Sequence, residues 1–230
     1  MKIRIKFAKT GSMKFIGHLD IMRYFQKVMR RAEVDIAYSE GFSPHQVMSF
    51  AAPLGVGLTS QGEYLDIEVH STASSYEMIN RINEVMVEGM KVISYRLLSE
   101  DSKNAMSIVS AADYLVKFRP EYMPDINLRQ KFNDFISQNS IEILKKTKKS
   151  EMTVDIRPLI YEAKVDENNN IFMKLATGSA NNLKPDLVMQ AFSNFCNFEL
   201  NEFALLVERQ EIYGIIDDKL IPLEDFGEVI

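Results

Sequence analysis

Cysteine is almost missing from this chain of 230 residues. Its single thiol, Cys196, excludes a disulfide framework, a thiolate zinc site and an iron–sulfur cluster held by this chain alone. Long hydrophobic runs are missing too: no apolar stretch nears the ~20 residues that a membrane helix needs. The opening Met1-Lys2-Ile3-Arg4-Ile5-Lys6-Phe7 alternates charge with apolar residues and so lacks the core of a secretory signal. Hydrophobic residues make up 46% of the chain and charged residues 26%, as in packed globular proteins. The expectation is a protein of the cytoplasm with no membrane association, long enough for one large domain or two small ones.

The formal charge of −5 conceals an asymmetry. The first fifty residues carry nine cationic side chains against Asp20, Glu33, Asp35 and Glu40, while nine carboxylates fall between Glu199 and Ile230 against Arg209 and Lys219. Such a division points to a polyanion-facing or partner-facing surface at one end.

Residues 2–7 alternate, with Ile3, Ile5 and Phe7 on one face and Lys2, Arg4 and Lys6 on the other, which predicts a half-buried strand. Ile16, Leu19, Met22, Phe25, Met29 and Ala32 mark a helical stripe. A short strand is expected over 34–38, a loop over 39–45 from its turn chemistry, and extended chain over 46–52. Leu65, Ile67 and Val69 alternate with polar neighbours. Met78, Ile79, Ile82, Val85 and Met86 form a second helix capped near Thr72 or Ser74, and 91–98 closes the unit as a strand. This order of elements is the ferredoxin-like split βαβ pattern. After a polar linker at 99–104 the pattern repeats less regularly. A strand is expected near 113–118, a helix over 127–138 and a strand over 141–145, followed by extended segments at 154–165 and 171–176. A helix opened by Pro185 and a strand over 203–209 complete it. The expected fold class is α+β, with two tandem ferredoxin-like (βαββαβ) modules at 1–99 and 106–230, the second irregular.

Three constellations stand out. Arg23, Lys27, Arg30 and Arg31 share one face of the first helix at i, i+4, i+7 and i+8, where mutual repulsion favours an anionic partner such as RNA phosphate. A solvated face near a helix C-terminus would carry the same charges. Lys145, Lys146, Lys148 and Lys149, with Arg157 nearby, form a second basic cluster suited to phosphate contacts or to a solubilising turn. Lys2, Arg4 and Lys6 are read differently: Asp66 and Glu68 would lie across from them in a split βαβ sheet, as cross-strand ion pairs. The third constellation is histidine-based. Gly17-His18-Leu19-Asp20 opens the first helix, and Gly41, Ser43, Pro44 and His45 lie in the following loop. If that loop folded over the helix N-terminus, His18, Asp20, Ser43 and His45 would meet in a ligand-binding or acid–base site. The alternative is that Asp20 caps the helix and each histidine satisfies a backbone carbonyl. No spacing marks a metal site.

Lys14-Phe15-Ile16-Gly17-His18-Leu19-Asp20, then Tyr38-Ser39-Glu40-Gly41-Phe42-Ser43-Pro44-His45, resemble a bacterial family of unknown function linked to radical SAM enzymes. The run Ser49–Val56, the run Gly62–Asp66 and Val154-Asp155-Ile156-Arg157-Pro158-Leu159-Ile160 extend the resemblance over nearly the whole chain. It implies a radical SAM protein as partner, either separate or fused, and brings no established reaction. A radical SAM cluster needs three close cysteines, so this chain would hold no such cofactor itself. The function expected is a non-catalytic accessory module recognising RNA or a ribosome-associated substrate. The alternative is an RNA-processing endonuclease with His18 as general acid or base.

Overall fold

The computed structural model describes residues 1–146, 151–179 and 181–230, and the side chains of 145, 146 and 151 lie outside that description. Strand β1 (Lys2–Lys9) leads through a 3-10 turn at Gly11–Phe15 into α1 (His18–Arg31). Next come β2 (Met48–Phe50), β3 (Thr59–Glu68), α2 (Ser75–Glu84), β4 (Met90–Leu98) and the one-turn α3 (Ala105–Ile108). Then follow β5 (Ala111–Phe118), α4 (Leu128–Ile136), β6 (Glu142–Lys146), β7 (Glu151–Asp155), β8 (Ile160–Val165), β9 (Ile171–Ala176) and α5 (Pro185–Cys196). Strands β10 (Leu205–Ile216) and β11 (Lys219–Pro222) and a last 3-10 turn at Leu223–Phe226 complete the order of elements. The structure is mixed α+β, its strands paired mostly antiparallel. No described helix is long and apolar enough to cross a membrane.

Two compact units divide the chain: Met1–Ser110 with Arg209–Ile230, and Ala111–Glu208. The sequence placed a single boundary between 99 and 106. The chain instead returns to the first unit at its end, because Arg209, Glu211 and Glu224 are charge partners for β1 and β3.

In the first unit β1 lies between β4 and β3, and β2 takes the other edge of β3 at Leu65–Ile67. Strand β10 also neighbours β3, so closely that a Cβ on Gly62 would stand 2.5 Å from the Gln210 carbonyl oxygen. One face of β1 is apolar as its alternation predicts: Ile3, Ile5 and Phe7 join Leu65 and Ile67 in a core closed by Phe25 and Met29 of α1 and Met78 and Ile82 of α2. Each fully buried side chain of this kind contributes about 1.5–3 kcal/mol.

Two local expectations change. Helix α1 buries Ile21, Phe25, Val28 and Met29, while Leu19 is 66% exposed, because at about 100° per residue it falls on the side of the helix away from Ile21 and Val28. The strand expected over 34–38 is reduced to two isolated bridges, Ile36 to Val69 and Tyr38 to Gln46. The Ile36 amide folds back onto the Val34 carbonyl at 2.8 Å and so interrupts the ladder. Helix α2 opens as expected, with Ser74 Oγ accepting from the Glu77 amide as the cap, but ends at Glu84, so Val85 and Met86 of the expected stripe lie past it.

The other face of β1 carries the cations, and it is buried as well. Arg4, 1% exposed, donates to both Asp66 oxygens at 2.8 and 2.9 Å and to the Leu223 carbonyl at 3.1 Å. Lys6 donates to Glu211 and Glu224, each at 2.6 Å, and the Tyr64 hydroxyl donates to Glu211 at 2.6 Å. Of the cross-strand pairs expected with Asp66 and Glu68, Arg4 with Asp66 is the one found among the described residues. Lys2 instead donates to the carbonyls of Glu100 and Ser102, and Lys6 reaches carboxylates remote in sequence.

In the second unit β9 lies between β5 and β8, both antiparallel to it. Phe132 of α4 meets Phe192 of α5 edge to face and Phe135 meets it at a tilt, with ring centres 5.2 and 5.5 Å apart. Asn127 caps α4 through the Gln130 amide, and Pro185 opens α5, both close to expectation. Among the described residues the strand expected over 141–145 joins no larger sheet. It forms β6, which pairs with β7 alone, and Asp155 Oδ1 closes that hairpin by accepting from the amides of Ile141 and Arg157.

Burial opposes ionisation of Glu224, yet the ammonium of Lys6, with the Arg96 guanidinium 3.9 Å away, outweighs it and holds the carboxyl below its usual pKa. Its stabilisation is therefore complete above the unfolded pKa of about 4.3 and is lost as pH falls through the lower folded value. Glu224→Gln should cost about 1.5–3 kcal/mol at neutral pH. The difference in urea midpoint between the variant and the parent chain should shrink below about pH 4.

Candidate functional site

The outward side of α1 is cationic. Arg23, Lys27, Arg30 and Arg31 are all exposed. Arg23 pairs with Asp20 at 3.3 Å, with both side chains well solvated, and such a pair contributes at most about 1 kcal/mol. Among the described residues Lys27, Arg30 and Arg31 have no carboxylate within salt-bridge distance. Asp20 does not cap the helix: Gly17 occupies that position, and no side chain completes it.

The 39–45 loop is tied at its base rather than laid over the start of α1. The Ser39 amide donates to the His45 carbonyl at 2.8 Å, the His45 amide donates to Ser39 Oγ at 3.1 Å, and His45 Nδ1 lies 2.8 Å from the same hydroxyl. Gly41 has φ +105°, a conformation that L side chains rarely adopt, so the turn there favours glycine. Next to it Phe42 is fully exposed. Gln46 anchors the loop to α1 by donating to the Gln26 carbonyl at 3.3 Å. Arg30 Nε donates to that same carbonyl at 3.2 Å, which sets the loop base beside the middle of the basic face.

His18 lies roughly 12 Å along the helix from Gln26. Its ring stands edge-on to Phe50, 5.3 Å between centres, and lines a cavity of about 20 Å³ with Phe7, Lys9, Ile21, Leu54 and Glu63. That space holds about one water. No hydrogen bond among the described residues joins His18 to His45, Asp20 or Ser43, so the expected histidine site is divided between two places.

Behind His18 sits a buried ionic group that sequence reasoning did not find. Arg209 donates to Glu63 through Nε at 2.7 Å and through a second nitrogen, and to the Ala52 carbonyl at 2.9 Å. Lys9, 2% exposed, donates to the Ile16 carbonyl at 3.0 Å. Burial lowers the Lys9 pKa in spite of the attraction of Glu63, and Arg209 adds to the lowering. The separation of Glu63 and Arg209 in the chain, 146 positions, left no local signal for the pair.

Lys148 and Lys149 fall outside the described residues, and Lys145 and Lys146 lie in β6. Arg157 is engaged structurally, donating to the carbonyls of Ile136 and Ile160 at 3.0 Å each. A larger cavity of about 220 Å³ lies among β2, the end of β3 and the 99–104 segment. Of the four charged residues that line it, Lys2 is engaged by backbone carbonyls and Asp66 by Arg4 and the Ala105 amide, while Glu68 and Lys103 complete the wall. Among the described residues no three His, Cys, Asp or Glu side chains gather as metal ligands would.

Removing one member of the buried pair leaves the other uncompensated. Glu63→Ala should cost about 3–5 kcal/mol in urea unfolding, and Glu63→Leu combined with Arg209→Met should recover most of that loss.

Among curated proteins none matches this chain. The family described as "Uncharacterized protein conserved in bacteria (DUF2344)" matches residues 2–185, which run from β1 to the first residue of α5. The chain belongs to that bacterial family.

Proposed function

We propose that the chain is a non-catalytic binding module that takes RNA, free or in a ribosome-associated substrate, on the basic face of α1. The contrast between its two sets of cations carries the reading. Arg4 and Lys6 are consumed by internal carboxylates. Lys27, Arg30 and Arg31 stand in solvent with no carboxylate partner among the described residues, although the chain as a whole is acidic. Neutralising phosphate releases condensed counterions, a gain that an isolated cationic face lacks without a polyanion.

The partner in this reading is a radical SAM protein, inferred from the likeness of the 38–66 run to proteins linked with such enzymes. One cysteine cannot hold the cluster, so the chemistry belongs to that partner. Each unit is read as a ferredoxin-like module. For the first, the neighbour order β4-β1-β3-β2 with α1 and α2 in the helix positions supports this. For the second, the run β5-β9-β8 with α4 and α5 does so, the β6–β7 hairpin being an insertion.

The purified chain should shift labelled tRNA or rRNA fragments at ~50 mM salt and release them as salt rises. Lys27→Gln with Arg31→Gln should make the log–log salt dependence shallower by about 1.4 for two lost single-strand phosphate contacts. Absence of any shift at low salt would remove RNA from the reading.

A further inference from the structure

The tied loop beside the basic face has a feature that phosphate binding alone does not use. Phe42, at its tip, is fully exposed, while Tyr38 at its base is half solvent-facing. Loops commonly place small or polar residues at such tips, and an apolar ring there has no role in the core. The loop is nonetheless well built. Its ends are joined by the Ser39 and His45 hydrogen bonds and by the Tyr38–Gln46 bridge, and Gly41 supplies the turn before the ring. The Tyr38 hydroxyl stands 3.5 Å from Gln46 Nε2. Gln46 and Arg30 both donate to the Gln26 carbonyl, so a guanidinium lies within a few ångströms of the loop base. A tied loop thus holds out an aromatic ring from a base beside Arg30, which among the described residues has no carboxylate partner.

Aromatic faces accept any base by stacking, and neighbouring cations take the phosphates on either side. Bases in an A-form duplex are already stacked on one another, so a ring can engage only an unpaired or splayed base. We propose that the Ser39–His45 loop is a stacking site for an unpaired base, with Phe42 as the platform and Arg30 holding the adjoining phosphate. The class of ligand is therefore single-stranded or looped RNA rather than duplex. This rests on the RNA reading of α1 and deepens it.

The chain contains no tryptophan, so Phe42→Trp introduces a single reporter fluorophore at the tip. The Phe42→Trp protein is titrated with a single-stranded oligoribonucleotide and with a blunt duplex of the same sequence. The parent chain and Phe42→Ala are titrated beside it by fluorescence anisotropy of labelled RNA. Expected results are quenching of the indole by the single strand but not the duplex, and retention of affinity by Phe42→Trp. Phe42→Ala should bind the single strand about 5- to 150-fold more weakly with an unchanged salt slope. The Phe42 ring is fully exposed, so neither variant removes a packing contact on which folding relies. Equal affinity for single strand and duplex, with Phe42→Ala indistinguishable from the parent, would overturn the stacking site while leaving the basic face in place. No binding of either RNA by the parent chain would overturn the RNA reading itself.

Discussion

The structure of the first unit depends on neutralising the cationic face of β1. A central strand with apolar residues on one side and Lys2, Arg4 and Lys6 on the other can be covered on both faces only if each charge finds a partner. Arg4 is almost inaccessible, and an unpaired buried guanidinium would cost several kcal/mol. Asp66 meets it from β3, and Glu211 and Glu224 meet Lys6 from the far end of the chain. The Tyr64 hydroxyl, pushed far above its usual pKa by burial and by Glu211, remains a donor to that carboxylate. The Arg4 guanidinium also lies over the Phe226 ring, 5.8 Å from its centre, so the last 3-10 turn covers the charge with apolar surface as well.

That requirement explains where the acidic end of the chain goes. Read as a segment, residues 199–230 look like a docking tail. Two of its carboxylates are instead internal counter-ions, and Arg209 from the same segment supplies the opposite sign to Glu63. Gly62 allows β10 to approach β3 closely enough for these contacts to form. Because the two termini carry opposite charge, their association also reduces the asymmetry visible in the sequence. What remains of that asymmetry is concentrated on α1.

The distribution of charge therefore separates structural from available cations. Lys6 is raised in pKa: burial alone would lower it, but Glu211 and Glu224 more than offset the desolvation. Its contribution is fully present below the unfolded pKa of about 10.4 and is lost as pH rises through the higher folded value. Lys27 and Arg31 enter no such arrangement among the described residues. They stand on a helix whose opposite stripe, Ile21, Phe25, Val28 and Met29, is locked into the core, so the cationic face is held in a fixed orientation by the packing beneath it.

The sequence by itself determined the elements whose signals are local. Alternation over residues 2–7 specified β1 and its two faces, Pro185 and Asn127 marked the openings of α5 and α4, and the i, i+4, i+7, i+8 spacing put the four cations of α1 on one side. Pairing of Arg4 with Asp66 was legible because adjacent strands in the expected topology place them opposite. Tertiary structure decided the rest. Leu19 is as hydrophobic as Ile21, and only the face of α1 that packs on the sheet decides that Ile21 is buried and Leu19 is not. His18 and His45 flank the same helix and its following loop, yet the tie of Gln46 to Gln26 sets the loop two turns along the helix from His18. Lys6 with Glu224 and Glu63 with Arg209 are separated by 218 and 146 positions, and no period or motif spans such a distance. Ion pairing is non-local because a charge is satisfied by whichever carboxylate the folded chain brings within about 4 Å, not by the one nearest in sequence.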